Sequence, residues 1–274
     1  METIRGSLQK MRATAEAPVS YTLLLGIEAL PLNTLLGKTL RLEFTRQILC
    51  NGCGQPTKKS FSEGFCYRCF TTLAQCDLCI VKPELCHFAK GTCREPEWAL
   101  SHCMQPHYVY LANASGLKVG ITRASQIPTR WLDQGAVQAL PVLKVQSRHH
   151  AGLVEVALKA HVSDRTDWRK MLKGEPELQD LPAQRGDLLS RSEPALTQIL
   201  EGKGREAFAL LDQESVRAFS YPVLQYPTRV TALNLEKTPC IEGTLLGIKG
   251  QYLIFDVGVL NVRKFTGYQV MVTV

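Results

Sequence analysis

The chain has 274 residues, 45% apolar and 21% charged, a composition that excludes a disordered tail protein and a collagen-like fibre. Its 32 Lys and Arg outweigh 25 Asp and Glu, and the resulting +7 is a weak pointer to an anionic partner. No stretch approaches the roughly 20 apolar residues a membrane helix needs. The opening Met1-Glu2-Thr3-Ile4-Arg5 does not read as a secretory signal, so a cytoplasmic protein with no membrane partner is expected.

In chain order, residues 1–49 read as β-rich, because Leu40, Leu42 and Phe44 alternate with Arg41 and Glu43. Residues 50–107 hold nine of the ten cysteines and show little periodicity. Residues 108–173 open with an apolar alternating strand, Tyr108 to Leu111, and a second strand at Leu117 to Ile121. Helical patterns follow around Thr129 to Gln134 and Leu153 to His161, with Trp131 read as a core residue. Residues 174–220 read as a helical linker with helices near 194–201 and 205–218. Residues 221–274 return to β, with strands at Leu245 to Ile248, Tyr252 to Phe255 and Tyr268 to Val274. The last segment is a candidate to pack with 1–49 into a small barrel. The basic surplus is local: residues 108–173 carry +6 and residues 174–220 carry −4.

In a reducing compartment, clustered cysteines point to metal rather than disulfides. Cys50-x2-Cys53 and Cys66-x2-Cys69 are two knuckles twelve residues apart, the spacing of a closed tetrahedral zinc ribbon. Two intervening residues let both thiolates of a knuckle reach one ion. A second zinc is expected on Cys76, Cys79, Cys93 and Cys103, with Cys86 or His87 as substitutes for Cys93 or Cys103. Both sites read as structural, since a 58-residue loop-rich segment buries little core and metal supplies folding energy. Cys240 stands apart and reads as a core residue.

One resemblance follows from the middle segment. Tyr108-Val109-Tyr110, then Leu117 to Thr122, then Thr129-Arg130-Trp131, then Glu155 on a helix, resembles the GIY-YIG nuclease superfamily over residues 108–173. The resemblance implies that Tyr110 activates or positions the attacking water. It also implies that Gly120 is the second motif's glycine, that Arg130 steadies the phosphate and that Glu155 binds one Mg or Mn ion. Tyr108 stands where the first motif has Gly. Lys118 stands where the second has Tyr, as an extra cation or a general base. The whole chain also resembles a bacterial family of unknown function that pairs such cysteines with this core. Without the resemblance, Glu155 reads as an exposed ion pair with Lys159 four positions later.

The expected fold class is α+β: a small GIY-YIG-like core, preceded by zinc-ribbon modules and flanked by β-rich segments. The expected function is a zinc protein that binds nucleic acid, DNA or RNA, with a divalent-metal-dependent endonuclease activity carried by Tyr110, Lys118, Arg130 and Glu155. A non-catalytic, zinc-stabilised scaffold that binds a protein partner is the competing expectation.

Overall fold

A computed structural model describes residues 3–274. The fold is α+β and its strand ladders are antiparallel. The largest sheet joins the two ends of the chain. Thr3–Ser7 pairs with Tyr268–Thr273, which pairs with Thr39–Leu49, which pairs with Cys240–Lys249. Tyr252–Phe255 and Gly258–Asn261 extend that sheet. The alternation of Leu40, Leu42 and Phe44 puts those side chains into the core, while Arg41 stays exposed. A three-stranded sheet of Arg12–Thr14, Ser20–Leu25 and Glu28–Pro31 joins the same core through Tyr21, Leu23 and Leu25.

The second sheet is built on the hairpin His107–Asn113 and Leu117–Arg123, with Gln138–Val145 on the other side of His107–Asn113. Both faces of this hairpin are covered. Val109, Leu111, Val119 and Ile121 pack with Ala151, Val154 and Leu158 of the helix Arg148–Lys159. Tyr110 and Ala112, pointing the other way, pack with Trp131 and with Ile254 and Val259 of the first sheet. Trp131 is fully buried. Each such apolar side chain removed from water is worth about 1.5–3 kcal/mol.

Several elements depart from the sequence expectation. The helix read from Leu153 begins five residues earlier, at Arg148, because the Ser147 side chain caps it by accepting from the His150 N–H at 3.3 Å. The helix read at 194–201 spans Leu181–Lys203, with Asp180 as its cap and Pro194 inside it. Residues 205–218 do not form a helix. A short turn at Arg205–Ala207 leads to Phe208–Leu210, which pairs with Leu143, Lys144 and Val145, and Arg217–Ala218 pairs with Gln138 and Ala139. The stretch read as a helical linker therefore supplies an edge of the second sheet. Three paired residues are too few to show alternation in a sequence. Cys240 is only half-buried, at the start of its strand. Among the described residues no helix is long and apolar enough to cross a membrane.

Candidate functional site

The chain leaves the strand Thr39–Leu49 directly into Cys50, where the Gly54 N–H donates to the Cys50 carbonyl and closes a tight turn around Cys53. Cys66 caps the short helix Tyr67–Thr72, which carries Cys69. These two local structures bring all four sulfurs within 4.8 Å of one another. The Cys53 and Cys66 sulfurs are 3.9 Å apart. Burial raises the Cys50 thiol, but N–H groups of Cys66, Cys53 and Gly52 outweigh it and hold Cys50 down to about 6. Burial, together with its three neighbours, pushes Cys69 up to about 12. Four thiolates at this separation need a cation to ionise together, and a divalent ion of the zinc class meets that need. The group can hold a metal ion.

The other cysteines divide differently from the expectation. Cys79, Cys86, Cys93 and Cys103 line one small cavity, but Cys76 lies outside it, on the wall of a larger cleft. The short helix Leu78–Val81 explains this split. Asp77 caps it by accepting from the Cys79 N–H, so the chain turns between Cys76 and Cys79 and the two residues line different cavities.

The larger cleft, about 840 Å³, lies between the cysteine-rich segment and the second sheet. Phe65, Phe70, Ile80, Val81 and Pro83 form one wall. Lys118–Arg123, Arg130, Gln134, Arg148 and Glu155 form the other. Eight Lys or Arg and five Asp or Glu line it. Four of those acids are engaged in ion pairs: Glu63 with Arg263 at 2.8 Å, Asp77 with Arg94 at 2.7 Å, Asp164 with Lys159 at 2.7 Å, and Asp133 with Lys10. Among the described residues, Glu155 is the lining acid without an ion pair. Lys118, Arg123, Arg130 and Arg148 are the lining cations without one. Lys159 takes Asp164 rather than Glu155, so the helical pair read from the i, i+4 spacing does not form.

The hairpin and its following helices bring three of the four catalytic candidates onto this wall. Lys118 is 4% exposed and donates to Thr166 Oγ1 at 2.7 Å. Burial, and then the nearby Arg130 charge, bring its ammonium down to about 7. Burial raises the Glu155 carboxyl, against the pull of Lys159, Arg148 and Arg130. Tyr110 differs. It is fully buried and lies behind Gly120, where its hydroxyl donates to Gln134 Oε1 at 3.1 Å. A Cβ at Gly120 would come within 2.6 Å of that hydroxyl, so glycine is what lets the two strands keep this contact. Burial pushes the phenol up, with Arg130 pulling the other way. Tyr110 is thus a neutral phenol set back from the cleft surface. It holds Gln134 and Arg130 in place from behind.

Arg123 and Arg148 escape the motif reading. Arg148 donates to the Ile80 carbonyl, and its Nε has no acceptor within the chain. A buried guanidinium N–H without a partner is costly, so an incoming anion has something to gain there. The +6 of residues 108–173 was the one sequence signal for these two residues, and it names neither.

No curated protein and no solved structure matches the chain. A family model matches residues 37–270, a span that includes both cysteine groups, Lys118, Arg123, Arg130, Arg148 and Glu155. The chain belongs to that family, described as protein of unknown function (DUF2797).

Proposed function

We propose that the cleft binds a nucleic-acid phosphodiester and hydrolyses it, with a GIY-YIG-like arrangement of motifs on the second sheet. The observation that carries this reading is the charge balance of the inner wall. One carboxylate, Glu155, is left free beside three unpaired guanidinium groups, Arg123, Arg130 and Arg148, and the amine of Lys118, while the other acids lining the cleft are neutralised in place. A wall of that kind attracts a phosphate and stabilises extra negative charge on it.

Hydrolysis of a phosphodiester adds water at phosphorus and breaks one P–O ester bond. The proton lost by water needs a nearby acceptor, and Lys118, at about 7, supplies a neutral amine at physiological pH. Arg130 and Arg148 face the developing charge on the phosphoryl oxygens. Tyr110 and Gln134 orient Arg130. Glu155 fits a hard divalent ion such as Mg or Mn. It is a single carboxylate without an ion-pair partner, and such ions keep several waters and a substrate oxygen as their remaining ligands. When bound, that ion supplies Lewis acidity at the phosphate. The Cys50–Cys69 group, read as a zinc ribbon, holds the opposite wall.

The test is nicking of supercoiled plasmid, and cleavage of labelled single-stranded DNA and RNA, with Mg or Mn, beside Glu155→Ala. The expected result is cleavage of at least one substrate, reduced at least about 100-fold in the variant, with binding that weakens steeply as salt rises. Equal cleavage by both proteins removes Glu155 from the mechanism. No cleavage with salt-dependent binding leaves a binding protein. Neither activity leaves a zinc-stabilised scaffold.

A further inference from the structure

We propose that Cys79, Cys86, Cys93 and Cys103 form a second metal centre, which takes one zinc-class ion on four thiolates and pins the cysteine-rich segment to the helix Arg148–Lys159. The four side chains come from separate turns of the chain and face one cavity of about 10 Å³. That is room for about one water-sized sphere, which suits an ion and excludes an organic ligand. Ala74, Ile80, Phe88, Trp98 and Ala99 complete the lining, so the space is apolar apart from sulfur and its flanking Asp77, His87 and Arg94. Of these four thiols, Cys79 also meets the Asp77 carboxylate, while the sulfurs of Cys86, Cys93 and Cys103 take part in none of the sulfur hydrogen bonds, which belong to the first cysteine group. They are more widely spaced than the first four, and an ion would draw them together.

Asp77, Cys79 and His87 also lie within 4.8 Å of one another. Two of these three are already employed. The Asp77 carboxylate pairs with Arg94 at 2.7 Å and accepts from the Cys79 N–H at 3.1 Å. The His87 ring has Thr92 Oγ1 at 2.8 Å from Nδ1 and Asp77 at 3.5 Å from Nε2. Asp77 and His87 therefore brace the loops that carry the sulfurs, and a soft ion is left to the thiols.

The centre has a structural consequence. The Arg148 N–H donates to the Cys103 carbonyl at 2.8 Å, and the Arg148 side chain donates to the Ile80 carbonyl. A Cβ at Gly152 would sit 2.6 Å from the Glu84 nitrogen and from Pro83 Cβ, so the loop between Cys79 and Cys86 lies directly on the helix backbone. Glu155 is one turn further along that helix. The second ion would thus hold the helix that presents Glu155, whatever reaction the cleft performs.

The experiment is metal analysis of the full chain, combined with alkylation by iodoacetamide and site mapping by mass spectrometry. Two zinc ions per chain are expected. Cys76 and Cys240 should be modified in the native protein, and the other eight cysteines only after chelation. Cys86→Ser should leave one ion, while Cys76→Ser keeps two. One ion per wild-type chain, or native alkylation of Cys86 as fast as that of Cys76, overturns the proposal. If Cys86→Ser does not fold, the wild-type alkylation pattern decides the question alone.

Discussion

The cysteine-rich segment and the second sheet face each other across one cleft, yet they are built on different physics. The buried apolar side chains of residues 50–106 are Cys50, Cys69, Ala74, Pro83, Ala99 and Cys103, with no large aliphatic or aromatic among them. In the sheet and its helices, Val109, Leu111, Val119, Trp131, Leu132, Val154 and Leu158 are all buried. The second region can fold by removing apolar surface from water. The first buries little such surface, and on the metal reading proposed above its cohesion would come from ions held by its sulfurs. A wall built on metal and a wall built on packing should fail under different treatments.

The largest expected effect is therefore metal removal. Structural zinc in small cysteine modules contributes on the order of 10 kcal/mol. Chelation should abolish amide-exchange protection in residues 50–103, while His107–Asn113 and Leu117–Arg123 keep theirs. Loss of protection across the whole chain would show that the two walls are one cooperative unit. Trp131→Ala attacks the packed wall instead. It is expected to cost about 3–5 kcal/mol by denaturant midpoint and to leave zinc content unchanged.

Lys118→Met tests the strain stored in the cleft. A lysine whose folded value lies below its unfolded value costs stability. That cost is complete below about 7, where both states are protonated, and fades as pH climbs from about 7 toward the unfolded value of 10.5. The variant should gain about 2 kcal/mol at pH 6, a smaller gain at pH 9, and lose cleavage at both. A gain that does not change with pH would mean that Lys118 is not held near neutrality. The smallest effect is expected from Asp164→Asn, which breaks a partly exposed pair with Lys159 and should cost under about 1 kcal/mol.

What could be read from the sequence follows the same division. The knuckles Cys50-x2-Cys53 and Cys66-x2-Cys69 are legible because a metal site imposes short fixed spacings. The alternation of Val109 and Leu111 against Tyr110 and Ala112 is legible because a pleated strand has period two. Cys86 was legible only as a substitute ligand, and its place beside Cys79 in one cavity was not. The C-x2-C spacing drew Cys76 toward Cys79, and only the Asp77 cap, a local turn, separates them. The helix Leu181–Lys203 was hidden by Pro182 and Pro194, one of them harmless in the first turn and the other tolerated inside. Lys159 has two acids within reach, and sequence spacing favours Glu155, whereas the chain after the helix returns Asp164 to it. That choice is what frees Glu155. Tyr110 was found by motif, but its depth behind Gly120 is a property of the packed sheet.

The most direct test of the account is the pH dependence of plasmid nicking with Mn by wild type and by Glu155→Ala. The account predicts a wild-type rate that rises about tenfold per pH unit below about 7 and then levels, as Lys118 loses its proton, with the variant at background throughout. A rate independent of pH across that range, or a variant that nicks as fast as wild type, would contradict it.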